Sequence, residues 1–243
     1  MSKIIYCNGC SWTWGDDLEN PQQERFSTLL GEKTKFSIIN EAKNGGSNYR
    51  IVRTTINYLL TNRDKWEDII VILGFTDPSR YEFFNEDTKE FDCFNIHKVY
   101  NEPHTKRGVV AKNYFSHLYS DELSYETYLN QIIYLQSFLQ LHNIKYFFFR
   151  AFGYHTFNIV TDHSNRIYND RVDLENSGSI VDFGDSLKQE ISVNNFPSMF
   201  EFDKTFQGII NRKVNSLHHP NKEEHKTFAD YLHNTLNKLN YLN

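Results

Sequence analysis

Four short segments of the sequence carry hydroxyl, imidazole and carboxylate side chains together with flexible glycines. They are 8–15 (NGCSWTWG), 44–48 (NGGSN), 74–80 (GFTDPSR) and 218–221 (HHPN). A serine hydroxyl is a weak nucleophile until a base takes its proton, and histidine is a natural base for this task. Ser11 in the first segment and His219 in the last are the candidates for such a pair.

Short apolar runs predict the strands that must position these segments. Each run is too short for a helix and is rich in β-branched or aromatic residues; the four are 3–7, 36–39, 68–73 and 145–149. Apolar residues at helical spacing predict helices over 48–62, 124–141 and 221–239, with Ser47 as N-cap of the first. Strand and helix alternate, which predicts a three-layer α/β/α, doubly wound, mainly parallel sheet.

The four chemical segments all lie at a strand exit or a helix entry of this predicted sheet. The first follows strand one, the second separates strand two from its helix, the third follows strand three, and the fourth precedes the last helix. Open α/β sheets bind ligands outside the carboxyl ends of their strands. We therefore expect the four segments to meet at one edge.

The order and form of these segments resemble the sequence blocks of the SGNH (GDSL-type) hydrolase family, over almost the whole chain. Residues 9–11 (Gly-Cys-Ser) match the Gly-Asp-Ser triplet whose serine is the nucleophile. Gly45 is the best match, and Gly46 the next, to the glycine whose N–H faces the oxyanion. The blocks also look similar to those of SGNH-like proteins encoded by tailed bacteriophages. The resemblance implies the SGNH, flavodoxin-like fold.

The third block of the family, Gly-x-Asn-Asp, is matched here by 74–77 (GFTD). Thr76 replaces the asparagine whose amide completes the oxyanion hole, and its shorter hydroxyl, or the side chain of Asn48, would have to donate instead. Asp77 and Arg80 are interpreted as a loop ion pair or cap, although Arg80 could also meet an anionic group of the substrate.

The last block, Asp-x-x-His, is matched by residues 216–219. Ser216 stands at the place of the acid, three residues before His219. The acid normally orients the imidazole, so its partner here must be a backbone carbonyl or an acid from elsewhere, such as Asp203. The resemblance therefore implies a Ser–His dyad or an incomplete triad.

The activity implied is hydrolysis of an O-acyl ester without metal or organic cofactor. A mean hydropathy of −0.61 and the lack of a lid-like amphipathic segment favour a glycan ester or another small polar ester over a lipid. The alternative is a catalytically inactive SGNH-like fold that binds a glycan or a protein. Trp12, Trp14 and Tyr49 are either groove-lining or packing residues.

Simpler interpretations exist for the same residues. Ser11 alone could cap a helix, and His219 could merely precede one. The cluster of His218, His219, His225 and His233 has no standard metal-ligand spacing. Cys7 and Cys10 form a C-x-x-C without the second pair that a zinc site needs.

The composition of the chain argues against several other classes of function. A net charge of −5 without a basic run argues against nucleic-acid binding. Three cysteines without a framework favour a reducing compartment. Without a signal peptide or an apolar run long enough to span a membrane, we expect a cytoplasmic protein. One domain over 1–243, with polar insertions around 85–120 and 154–205, is expected, and the oligomeric state is left open.

Overall fold

Four parallel strands form the central sheet. The computed structural model describes residues 3–95, 101–151, 155–161, 167–173, 189–192, 194–196, 205–211 and 218–243, with the backbone alone for 155–161 and 167–173. The strands are β1 (Ile4–Gly9), β2 (Ser37–Asn40), β3 (Ile69–Phe75) and β6 (Lys145–Arg150), in the order β2-β1-β3-β6. All four predicted strands are confirmed, with ends displaced by at most two residues.

Helices cover both faces of this sheet. They are α1 (Ser11–Trp14), α2 (Pro21–Glu24), α3 (Phe26–Thr34), α4 (Asn48–Thr61), α5 (Lys106–His117), α6 (Asp121–Leu141), α7 (Phe206–Ile209) and α8 (Lys222–Lys238), with a 3₁₀ turn at Arg63–Asp68. The three predicted helices are confirmed as α4, α6 and α8. Ser47 caps α4 as expected, its side chain accepting the N–H of Arg50 at 3.2 Å. Helix α6 begins earlier than predicted because Ser120 accepts the N–H of Leu123.

Alternate residues of the strands pack into two separate cores. On β3, Val71 and Leu73 face the layer of α4 and α6, whereas Ile70 and Ile72 face the layer of α3 and α8. Since successive side chains of a strand point to opposite faces, a strand with both faces covered must be apolar throughout. Every residue of β3 is buried. The predicted three-layer α/β fold is confirmed.

The strand order also places the ligand crevice. Strand β1 has β2 on one side and β3 on the other, so the chain reverses its direction of travel across the sheet between them. In doubly wound sheets the crevice opens at this switch point, outside the carboxyl ends of the two strands. Here those ends are Gly9 of β1 and Phe75 of β3, next to Ser11 and Thr76.

The first expected insertion, around 85–120, contains regular structure in its described residues. Strands β4 (Tyr81–Asn85) and β5 (Glu90–Phe94) form an antiparallel hairpin, and Phe94 packs with Ala111 and Phe115 of α5 in a small separate core. In the second, around 154–205, strands β7 (His155–Thr161) and β8 (Ile167–Asp173) pair antiparallel, and most of the remainder lies outside the described residues. No helix in the described part is both long and apolar enough to cross a membrane.

A buried histidine on α8 makes the fold acid-sensitive. His225 is fully buried, and its Nδ1 accepts the N–H of Phe26 at 3.2 Å. Burial lowers the pKa of His225 to about 3, whereas an unfolded histidine titrates near 6.5. The unfolded chain therefore binds the proton first as the pH falls. The contribution of the neutral ring is complete above about pH 6.5 and is lost between about pH 6.5 and pH 3.

We predict that His225→Gln weakens the pH dependence of stability in this window. In the native protein this one group should lower the free energy of unfolding by up to about 1.4 kcal/mol per pH unit below pH 6.5. Urea unfolding at several pH values measures the slope for both proteins. A variant whose slope equals that of the native protein would show that His225 does not titrate as the burial requires.

Candidate active site

Ser11 is held at the edge of the sheet by the one-turn helix α1. The helix follows β1 directly, and the side chain of Ser11 is almost fully buried. Gly9 and Gly74 face each other across β1 and β3 beneath it. A Cβ on Gly74 would lie 2.6 Å from Thr13 Oγ1, and one on Gly9 would overlap the same atom. The two glycines thus allow α1 to pack directly on the strand ends.

Open polar groups surround this serine. Within the described ranges, neither the hydroxyl nor the N–H of Ser11 has a hydrogen-bond partner, and the N–H of Gly45 has none either. The N–H of Gly46, by contrast, donates to Lys43 O at 2.9 Å. Of the two predicted glycines, Gly45 is therefore the one with a donor available. It has a φ of 70°, which glycine adopts without strain.

The second segment is fixed onto the first. The N–H of Lys43 donates to Gly9 O at 3.2 Å, and the side chain of Asn44 donates to Asp16 Oδ2 at 2.6 Å. A Cβ on Gly46 would lie 3.2 Å from Gly9 O. The loop that carries Gly45 therefore lies directly against the turn that carries Ser11.

The third segment is joined to the second by a two-way amide contact. Asn48 Nδ2 donates to Thr76 O at 3.0 Å, and Asn48 Oδ1 accepts the N–H of Thr76 at 2.9 Å. The hydroxyl oxygen of Thr76 is buried without a hydrogen-bond partner among the described residues. Asn48 thus positions the backbone of Thr76, while the Thr76 hydroxyl remains available as a donor.

Asp77 and Arg80 complete the same loop. Asp77 Oδ1 accepts the N–H of Ser79 at 2.8 Å, which caps the turn, and Arg80 Nη1 donates to Gly46 O at 3.4 Å. Arg80 thereby connects the third segment to the glycine loop, and a role toward an anionic substrate group stays a prediction.

Loss of the Asn48 amide should loosen this arrangement. We predict that Asn48→Ala lowers the free energy of unfolding by about 1–3 kcal/mol, because both backbone groups of Thr76 lose their buried partner. Asn57→Ala, on the exposed side of the same helix, is the matched control and should change stability by less than about 0.5 kcal/mol. Denaturant unfolding of the two variants measures the difference, and equal losses would contradict the role assigned to Asn48.

His219 is placed by the start of α8. Asn221 and Glu224 form a capping box, with the side chain of each accepting the backbone N–H of the other at 3.0 and 2.7 Å. His219 lies two residues before this fixed helix start. The imidazole is partly exposed and faces the turn that follows α1.

Two aspartates of that turn meet the imidazole. His219 Nδ1 lies 3.0 Å from Asp17 Oδ2, and Nε2 lies 3.8 Å from Asp16 Oδ2. Left-handed backbone at Gly15 and Asp17, with φ of 90° and 68°, turns the chain so that both carboxylates reach His219. The hydrogen bond to His219 lowers the pKa of Asp17, so this carboxylate is ionised at neutral pH.

The turn also connects His219 to Ser11. The N–H of Asp16 donates to Ser11 O at 3.1 Å, so the turn that the imidazole contacts is joined directly to the helix that Ser11 begins. Among the contacts that the structure describes, the side chains of Ser11 and His219 form no hydrogen bond with each other. The structure thus brings the predicted pair to one edge of the sheet, with the catalytic contact itself not made.

The acid beside the imidazole was missed by the sequence reasoning. Ser216, which occupies the acid's place in the motif, and Asp203 both lie outside the described residues. Asp17 instead provides a carboxylate at Nδ1, the position that the acid of a catalytic triad takes. The sequence feature that could have indicated this acid is the pair Asp16 and Asp17, which follows the short helix of the predicted nucleophile.

The two aspartates and His219 could also hold a metal ion. Asp16, Asp17 and His219 offer ligand atoms that all lie within 4.8 Å of one another. Three such donors are the number found in catalytic zinc sites. A carboxylate that orients an imidazole makes the same contacts as a metal-ligand set. A chelator added to the activity assay distinguishes the two.

Other predicted alternatives have structural roles. Cys7 and Cys10 are both buried, and burial raises the pKa of Cys7 to about 12, which leaves almost no thiolate for redox chemistry. Trp12 packs edge-on against Phe206 in the core. Tyr49 instead lines a cavity beside the third segment.

Comparison with solved structures gives the fold. TesA is similar with a TM-score of 0.50 and 9% identity over 98% of this chain and 99% of that one. The psychrotrophic esterase EstA from Pseudoalteromonas sp. has a TM-score of 0.47 and 12% identity over 98% of each chain. A member of the lipolytic G-D-S-L family from Veillonella parvula has a TM-score of 0.45 and 14% identity over 98% of this chain and 97% of that one. At such identities the likeness concerns the fold alone, and it agrees with the three-layer α/β arrangement described above.

Comparison at the level of sequence gives the family. A search among curated proteins finds no match to this chain. One family model, described as a family of unknown function (DUF6071), matches residues 22–240. This match spans most of the chain and begins after Ser11, Asp16 and Asp17. The chain belongs to the DUF6071 family.

Proposed function

We propose that the protein is a serine ester hydrolase of the SGNH type that cleaves an O-acyl ester carried by a carbohydrate. One observation carries the proposal: a carboxylate-bound imidazole contacts the turn that follows the helix begun by Ser11, whose hydroxyl has no partner in the described part of the chain. A serine that merely capped a helix would use its hydroxyl on a backbone N–H, and α1 has no side-chain cap.

The chemistry follows from these positions. Ser11 Oγ attacks the acyl carbonyl, and His219 Nε2 takes the hydroxyl proton while Asp17 holds Nδ1. The N–H groups of Ser11 and Gly45 stabilise the oxyanion. His219 then gives the proton to the departing alcohol oxygen, and water, activated in the same way, releases the carboxylic acid.

Two features predict modest turnover. His219 must turn from Asp16 toward Ser11, and catalytic hydrogen bonds often tighten only when substrate is bound. Thr76 replaces the amide donor of the family pattern, and loss of one oxyanion donor costs about 10²–10³-fold in kcat in a serine protease. The buried Thr76 hydroxyl is the group in this structure that can compensate.

The surroundings of His219 favour a polar alcohol. Asp16, Asp17 and Asn44 present carboxylate and amide groups on the side from which the alcohol must leave. A sugar offers several hydroxyls to such groups, as the polar composition of the chain also favours.

Acid release from a fully acetylated monosaccharide tests this function. We expect the purified protein to release acetic acid, followed by titration at constant pH, at the same rate with and without a chelator such as EDTA. A folded protein that releases no acid above the buffer rate would contradict the proposal. A rate abolished by EDTA and restored by zinc would replace the serine mechanism with a metal site at Asp16, Asp17 and His219.

A glycan- or protein-binding module is the second candidate. Among the described contacts Ser11 and His219 form no hydrogen bond with each other, and this favours the binding module because a site without a base–nucleophile contact need not react. In that case the same crevice would bind a ligand without changing it.

A further inference from the structure

A cavity of about 520 Å³ opens next to the candidate active site. Asn48 and Pro78, from the second and third segments, are among its lining residues. Its walls come from α4, α6, the β4–β5 hairpin and α5. Volumes of this size are typical of small-molecule sites.

The walls of the cavity are aromatic. Tyr81 stacks on Tyr114 with ring centroids 4.6 Å apart, and Tyr49 packs edge-on against Tyr81 at 5.2 Å. At the mouth, Leu118 and Leu123 leave 69% and 57% of their surface exposed. Such large exposed aliphatic side chains around an aromatic cavity favour an apolar guest.

Three polar side chains of the wall are engaged with protein groups, whereas the amides of Asn113 and Gln131 also line it. The hydroxyl of Tyr49 hydrogen-bonds Thr127, and that of Tyr114 hydrogen-bonds Ser124. The amide of Asn48 is held by the backbone of Thr76. With these groups paired, the cavity mainly presents ring faces and aliphatic carbon. A sugar in such a site would find partners for few of its hydroxyls and leave the others unpaired, at a cost in affinity.

The cavity lies on the opposite face of the sheet from His219. His219 precedes α8, which packs with α3, whereas α4 and α6 form the other layer. The alcohol of an ester must leave on the side of the imidazole that protonates it. The acyl part therefore extends away from His219, toward Asn48 and Pro78.

We propose that this aromatic cavity binds the acyl chain of the substrate, and that the enzyme prefers medium-length aliphatic acyl groups over acetyl. This inference rests on the proposed function, which supplies the ester hydrolysis. The preference for a particular acyl group is argued from the cavity. Each added methylene that enters an apolar site strengthens transition-state binding until the cavity is full.

Narrowing the cavity tests this selectivity. We expect kcat/KM for p-nitrophenyl hexanoate to exceed that for the acetate by about tenfold or more. Thr127→Trp places an indole in the cavity and should lower this hexanoate-to-acetate ratio by about tenfold. Tyr134→Trp, on the same helix and 69% exposed, is the matched control and should leave the ratio unchanged.

Binding of decanoate to the Ser11→Ala protein separates this proposal from the proposed function. Calorimetric binding that is lost in Ser11→Ala/Thr127→Trp, with both proteins folded by circular dichroism, supports the acyl site even if no ester is cleaved. An active enzyme whose rates are equal for acetate and hexanoate, and unaffected by Thr127→Trp, would overturn the acyl site and leave the esterase proposal standing.

Discussion

Ser11→Ala should lower kcat for hydrolysis of p-nitrophenyl acetate by about 10⁴-fold or more, to near the uncatalysed rate. Removing the nucleophile of a serine hydrolase removes the covalent step, and the residual rate comes from oxyanion stabilisation and binding alone. The variant should fold normally, because the Ser11 hydroxyl makes no hydrogen bond to any described residue. Release of p-nitrophenol, followed by absorbance, measures the effect.

Ser37→Ala is the control for this comparison. Ser37 lies exposed at the start of β2, at the opposite end of the strand from the active-site edge. The control should keep the native rate. If Ser11→Ala retained a tenth or more of the native kcat, the serine could not be the nucleophile.

Asp17→Asn should produce the second largest effect, a fall in kcat of about 10²-fold with KM nearly unchanged. The isosteric amide no longer stabilises a charged imidazole, and a buried triad acid treated in this way costs about 10⁴-fold. Asp17 is 62% exposed, so solvent screening reduces the effect here. Because the carboxylate acts through His219 and not on the substrate, the loss belongs in kcat.

Asp16→Asn is the matched comparison for Asp17. Its carboxylate lies 3.8 Å from Nε2, the nitrogen that must face Ser11, and so cannot orient the base in the productive direction. We expect a loss smaller than that of Asp17→Asn. The reverse order, or a rise in KM with kcat unchanged, would assign the orienting role elsewhere.

The sheet could be predicted from sequence because its strands carry a strong local signal. Strand β3 is buried on both faces and therefore reads as an uninterrupted apolar run. The four chemical segments could be placed together for the same reason, since parallel strands end at one edge. Ser11 and His219, from opposite ends of the chain, consequently lie at the same edge, connected through the turn that carries Asp16 and Asp17.

The partner of His219 could not be predicted, because no local pattern encodes it. Asp17 and His219 are 202 positions apart, and their contact depends on the left-handed turn at Gly15 and Asp17. The Asp-x-x-His pattern instead predicted a partner at Ser216, whose role stays a prediction. The resemblance to bacteriophage-encoded proteins also stays a prediction.

The cavity was missed for a different reason. Its outer wall is formed by the β4–β5 hairpin and α5, where aromatic residues such as Tyr81 and Tyr114 are spaced among polar ones. No strict period of two or of 3.6 marks their shared face, so the region reads as polar insertion. The packing of Phe94 against Phe115 creates that wall only in three dimensions.

Reaction with a fluorophosphonate, followed by mass spectrometry of the digested protein, tests the central claim most directly. The reagent phosphonylates only a serine that a nearby base can activate. The account predicts one adduct, on Ser11, formed by the native protein and slowed strongly by Asp17→Asn. A correctly folded protein that forms no adduct, or forms it on another serine, would contradict it.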